Sequence, residues 1–172
     1  LDRDFWDEKR HGYYFTEAGD ASLIKRDREF TDGAEPAGNS VAALNLLRLY
    51  GFTFESRYEQ SANLIFTAAA SMLNRYPAAF ASLLCALDFA DDRAKEIVAI
   101  GALDDAKLEE FVKGLWATFL PNKVVAAGPA GSFSGFPALN SKSGTSTTFY
   151  VCERGSCQAP TEDAATALGH LK

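Results

Sequence analysis

Along the chain, apolar and polar positions follow two grammars, and the change falls near residue 92. From Val41 to Leu49 almost every position is apolar, and the polar residues around this run are nearly confined to Asn39, Ser40, Asn45 and Arg48. A helix apolar on nearly every side is buried on nearly every side. The pattern predicts such a helix from Pro36 to Tyr50. Pro36 sits in its first turn, where a missing N–H costs nothing, and Gly51 is its stop. Glu55 to Arg75 carries a cleaner stripe, with Tyr58, Ala62, Ile65, Ala69 and Met72 at spacings of four and three and Glu, Gln and Asn opposite. Pro77 opens a third predicted helix with Phe80, Leu83, Leu84 and Leu87 inward. The first thirty residues hold no helical stripe. There, "GYYFT", "EAGDA" and "SLIKRD" predict two short strands around a turn at Gly19 and Asp20.

Beyond residue 92, "KEIVAIG" is a short continuous apolar run, the mark of a strand covered on both faces. "DDAKLEEFVKGLWATFL" predicts a helix with Leu108, Phe111, Val112, Leu115 and Phe119 on one side, and "NKVVAAG" a second strand. Strand, helix and strand in that order make a parallel crossover, with "EIVAI" and "KVVAA" adjacent in one sheet. A Gly/Pro/Ser-rich loop leads to a third strand, "TTFYVCE", and a closing helix that Thr161 can cap. The fold class is α+β: helical hairpins with an N-terminal β-hairpin over residues 1–91, then a small three-stranded α/β unit over 92–172.

Charge narrows the partners. Seventeen basic residues against 23 acidic give a net charge of −6, and "KRDRE" dilutes its own cations. Nucleic acid is not an expected partner, because phosphate binding needs a local excess of Lys and Arg. The apolar runs are interrupted well short of a membrane span, so no membrane is expected either. The chain opens on "LDRDFWDEKR", neither an initiator Met nor a signal peptide, and is expected to be cut from a longer polypeptide. Three cysteines, an odd number at low density, point to a reducing compartment and so to the cytoplasm.

The candidate chemistry concentrates in "TDGAEPAGNS", residues 31–40. Asp32, Glu35 and Asn39 cluster where the buried helix begins, and backbone N–H groups there stabilise carboxylates or an anionic ligand. They form either a polar rim for hydroxyl binding and acid–base work, with Asp32 and Glu35 as the acid/base pair, or an N-cap and a turn. No nucleotide-binding glycine pattern is present, and no cofactor or metal motif is found. "GPAGSFSG", residues 128–135, lacks the Lys and Ser/Thr of a phosphate loop and reads as a plain connection. Trp6, Tyr13, Tyr14 and Phe15 offer flat apolar faces that either stack on a sugar ring or fill a core. Cys152 and Cys157 are two reduced thiols at a strand end, or a pair brought together by a turn at Arg154–Gly155. Two cysteines alone complete no zinc site. Cys85, within a leucine-rich helix, is expected in the core. His11 and His170 stand near opposite ends, with no nucleophile context for a triad.

Three stretches, "FWDEKRHGYYFT", "TDGAEPAGNSVAALNLLRL" and "FYVCERGSCQAPTED", joined by "FLPNKVVAAG", resemble in this order the C-terminal region of a thioredoxin-domain-containing family that includes the spermatogenesis-associated protein 20 group. The resemblance implies an α/α toroid similar to six-hairpin glycosidases and N-acylglucosamine 2-epimerases, placed after an N-terminal thioredoxin-like domain that these residues lack. It implies that inner helices begin at the toroid mouth, which would make Asp32 and Glu35 catalytic, with Asn39 and Tyr14 contacting a small sugar-like ligand. His11 stands where that family usually has glycine, so it is no shared catalytic histidine. Two functions follow: part of a carbohydrate-active toroid, an isomerase or hydrolase, or a non-catalytic docking module serving the thioredoxin-like domain. In either case the isolated segment is expected to lack turnover, and cutting a toroid would leave Val41, Leu44, Ile65 and Phe66 uncovered and favour a homodimer.

Overall fold

A computed structural model of the chain describes residues 1–19, 22–132 and 146–171. Its elements are α1 (Asp2–Phe5), α2 (Gly38–Thr53), α3 (Ser56–Arg75), a 3-10 turn (Pro77–Phe80) running into α4 (Ala81–Asp91), β1 (Lys95–Ile100), α5 (Ala106–Ala117), β2 (Lys123–Gly128), β3 (Thr148–Glu153), β4 (Ser156–Cys157) and α6 (Ala164–Gly169). The fold is mixed helix and strand. The chain packs as two compact units: residues Leu1–Tyr50 with Glu55–Asp91, and Gly51–Phe54 with Asp92–Lys172.

In the first unit the helices follow the stripes with local shifts. α2 starts at Gly38 rather than Pro36 and runs through Gly51 to Thr53. Its break comes at Phe54, whose φ of 55° leaves the helical region. Gly51 is therefore not a stop. A Cβ there would lie 3.2 Å from Val124 Cγ2, so the missing side chain gives Val124 its seat. α3 buries Ala62, Ile65 and Ala69 as its stripe requires, whereas Met72 is exposed. α4 turns Leu83, Ala86 and Phe89 inward, a spacing of three that leaves Leu84 and Cys85 on the solvent side. The expectation of a core Cys85 fails for that reason. Of the four residues expected to be uncovered, Ile65 is fully buried and Val41 is exposed.

The N-terminal β-hairpin does not form among the described residues. One bridge, Trp6 with Tyr13, and one bond from Phe15 N–H to Asp27 C=O at 2.8 Å replace the expected ladder. Side chains take the place of a partner strand: the Arg26 guanidinium donates to the carbonyls of Thr16 (2.6 Å) and Asp4 (2.8 Å). Asp20, read as a turn former, lies outside the described residues.

The second unit is a sheet in the order β2-β1-β3-β4. β1 and β2 are parallel, with Ile97 opposite Val125, and α5 supplies the crossover. β3 lies antiparallel on the other side of β1, with Ile97 opposite Val151. A fourth strand of two residues extends the expected three. β1 is covered on both faces: Ile97 and Ala99 pack with Phe111, Leu115 and Phe149, while Val98 and Ile100 pack with Ala126, Phe52 and Tyr150. α5 ends at Ala117, so Phe119 lies beyond it and is 93% exposed. Asp105 caps α5, and Asp163, not Thr161, caps α6 by accepting from Thr166 N–H at 2.7 Å. Thr161 instead bridges Phe149. The "GPAGSFSG" loop lies outside the described residues from Phe133 onward.

Candidate functional site

The start of α2 is tied to the N-terminal segment by side chains that mimic backbone. Asn39, the second residue of the helix and 2% exposed, accepts from Tyr13 N–H at 2.6 Å and donates to Tyr13 C=O at 2.9 Å. Its remaining amide proton goes to Glu29 C=O at 2.8 Å. With acceptor and both donors engaged, Asn39 works as a clasp.

Asp32 is spent in a similar way. One carboxylate oxygen accepts from Ala37 N–H at 2.9 Å and the other from Ser82 N–H at 2.7 Å, so it ties the approach to α2 to the start of α4. Partial burial pushes its pKa up, but these N–H bonds outweigh that and hold it below the ordinary carboxylate range.

Asp7 is the hub that sequence reasoning missed. It is buried, accepts from Tyr14 O–H at 2.7 Å and from Lys9 and Arg10 N–H at 3.0 and 3.1 Å, and has Arg28 at 3.8 Å. The Tyr14 hydroxyl foremost holds its pKa low against burial, and the same bond raises that of Tyr14. Arg26 lies over the Tyr14 ring, 4.0 Å from its centre. Tyr13 donates to Asp2 at 2.8 Å, and burial first, then Asp2, raises its pKa. Arg28 also donates to His11 C=O. "KRDRE" thus reads as alternation: Arg26 and Arg28 turn to the N-terminal segment. No linear spacing of residues marks Asp7 in advance.

Around this clasp lies an open cleft of about 590 Å³. Glu35, Asn39 and Tyr14 line it, and Asp32 is not among its walls. Phe15, 81% exposed, and Glu29 line it as well. The Tyr14 hydroxyl is committed to Asp7 and the Asn39 amide to backbone. The cleft therefore offers an incoming molecule an apolar ring and two carboxylates rather than a set of poised donors. Such walls can hold a polyhydroxylated ring by stacking beneath it and accepting from its hydroxyls. Among the described residues no cluster of His, Cys, Asp and Glu could hold a metal ion, and no helix is long and apolar enough to cross a membrane.

In the second unit the cysteines resolve the open alternative. Cys152 and Cys157 are joined in a disulfide, opposite one another across β3 and β4. The reading of two reduced thiols is overturned by a tight turn at Arg154 (φ 50°) and Gly155 (φ 75°), which pairs the strands edge to edge with Cys152 opposite Cys157. Cys85 is the one free cysteine, so the cysteine count no longer argues for a reducing compartment.

No protein-family model and no solved structure matches the chain. It is 34% identical over 169 residues to human spermatogenesis-associated protein 20, covering 94% of this chain and 22% of that protein. The mouse protein of the same name is 32% identical over the same length. An uncharacterized protein of Caenorhabditis elegans is 34% identical over 118 residues. Over 94% of its length, then, the chain is homologous to spermatogenesis-associated protein 20, and it spans about a fifth of the length of the curated relatives it matches.

Proposed function

We propose that these residues are a portion of a larger protein and that their cleft binds a small sugar-like ligand without performing acid–base chemistry on it. The observation that carries this reading is Phe15, an aromatic ring left 81% exposed in a cleft that Glu29 and Glu35 also line. Exposing such a ring forgoes burial worth roughly 1.5–3 kcal/mol, and stacking on the apolar face of a sugar recovers it. Glu35 and Glu29 accept hydrogen bonds from the ligand's hydroxyls in this arrangement. Asp32, bound to two N–H groups, shapes the wall instead of acting as an acid or base. Catalysis by the toroid that the family resemblance implies would draw on residues outside this chain.

The test is binding of a monosaccharide and disaccharide panel to the protein, followed by amide chemical shifts. Shifts clustered at residues 13–15 and 29–39, lost in Phe15→Ala and weakened in Glu35→Gln, support the reading. A panel with no shift in this region removes it.

A second reading, a docking module for a thioredoxin-like domain, draws support from the full commitment of Asp32 and Asn39 to backbone. Saturable binding of that domain, unaffected by Phe15→Ala, would favour it over the first. Self-association through α2, where Val41 is 44% exposed, belongs to the same docking reading, and sedimentation tests it.

A further inference from the structure

The cysteine pair belongs to the second unit and its chemistry needs no sugar. β4 is the edge strand of the sheet, and Cys157 upon it is exposed, whereas Cys152 on β3 is 3% exposed. Both line a small open cleft of about 240 Å³ with Lys95, Glu153 and Gln158. The hairpin is held by other contacts besides the bond between them. Its turn residues both have positive φ, the conformation that suits a two-residue connection. Glu153 lies opposite Ser156, and Gln158 N–H donates to Val151 C=O at 3.0 Å. Lys95 reaches Glu153 at 2.7 Å, and Glu96 accepts from Gly155 N–H at 3.2 Å. Those bonds hold the register of the two cysteines in addition to the link between their sulfurs.

From this geometry we propose that Cys152–Cys157 is a reversible thiol–disulfide exchange site for a dithiol reductant, attacked at the Cys157 sulfur. Access decides which sulfur is struck. A thiolate of the dithiol forms a bond to Cys157 Sγ, the Cys152–Cys157 bond breaks, and its electron pair leaves on Cys152. The second thiol of the reductant then displaces Cys157 from the mixed disulfide. The dithiol is oxidised to its own disulfide, and its two protons end on the two cysteines.

Trypsin gives a direct readout, because Arg154 separates the two cysteines and their peptides stay joined only through the disulfide. The natively folded protein is treated with dithiothreitol, alkylated and digested. We expect the joined peptide to vanish while near-ultraviolet circular dichroism is unchanged, and to return on transfer to oxidised dithiothreitol. In Cys152→Ser, Cys157 should react with an aromatic disulfide reagent at least about tenfold faster than Cys152 does in Cys157→Ser, as its exposure requires. A disulfide that resists reduction until the protein unfolds would overturn the proposal. So would loss of tertiary signal on reduction, failure to re-form, or equal reactivity of the two thiols.

Discussion

Asn39 pairs with both backbone groups of Tyr13, as a neighbouring strand would, with its Oδ1 2.6 Å from the N–H donor and its Nδ2 2.9 Å from the carbonyl. One side chain thereby closes an irregular segment onto a helix start. Removing it in Asn39→Ala leaves a buried donor and acceptor without partners. At about 1–3 kcal/mol for an unsatisfied buried group, the variant should lose about 2–4 kcal/mol in urea unfolding. Asn39→Asp should be no better, since a buried carboxylate would face the carbonyls of Tyr13 and Glu29. Hydrogen exchange at the Tyr13 amide should accelerate in both, and unchanged protection there would refute the clasp.

Asp32 makes a prediction about pH. Its pKa is lowered in the fold, so the stability it contributes is fully present above the unfolded carboxylate value of about 3.9 and is lost as pH falls through the lower folded value. Asp32→Asn keeps the shape and cannot titrate. The gap in unfolding free energy between wild type and Asp32→Asn should be constant from about pH 5 to pH 7 and should close below about pH 4. Asp32→Ala at pH 7 should cost about 1 kcal/mol, the usual worth of a cap. A gap that does not depend on pH would mean that the two N–H bonds do not stabilise the ionised form.

Phe15 and Asn39 should separate function from stability. Phe15 is 81% exposed, so Phe15→Ala should change stability by less than about 0.5 kcal/mol while abolishing saccharide-dependent shifts. If Phe15→Ala unfolds the segment, the ring is holding structure and the binding proposal loses its main support.

Gly51 tests a close approach. Its missing Cβ would sit 3.2 Å from Val124 Cγ2. Gly51→Leu should therefore destabilise by about 1–3 kcal/mol through overpacking, despite leucine's better helix propensity. Val124→Ala should recover part of that loss, and calorimetry of the double variant measures the coupling.

Much of the second unit was legible because its pattern is local and redundant. "KEIVAI" is a continuous apolar run and forms the central strand covered on both faces, "KVVAAG" forms the edge strand beside it, and the helix between them requires a parallel pairing. The stripe Ala62, Ile65, Ala69 likewise declares its buried side. Where the reading failed, a helix face, a helix end or a side chain from elsewhere in the chain decided the outcome. Cys85 and Leu84 look like core in a leucine-rich run, yet the helix has a single buried face and Leu83, Ala86 and Phe89 occupy it. Phe119 repeats the spacing of α5, but the helix has already ended. The N-terminal hairpin had the composition of strands and lost to side-chain contacts: the Arg26 guanidinium satisfies the Thr16 carbonyl, within an expected strand, and ties it to the Asp4 carbonyl in α1.

The sequence by itself determined the long helices, the strands of the second unit, the parallel crossover, and the gathering of polar residues at the start of α2, because periodicity and turn chemistry act over a few neighbouring residues. It also brought Cys152 and Cys157 within reach of a turn, without saying whether they join. Only the tertiary structure decided what each polar residue does. Asp32 and Glu35 stand three residues apart and look alike in the chain, yet one meets the N–H groups of Ala37 and Ser82 while the other lines an open cleft. A carboxylate is a cap or a ligand contact according to which donors the fold brings to it, and the Ser82 donor comes from fifty residues away.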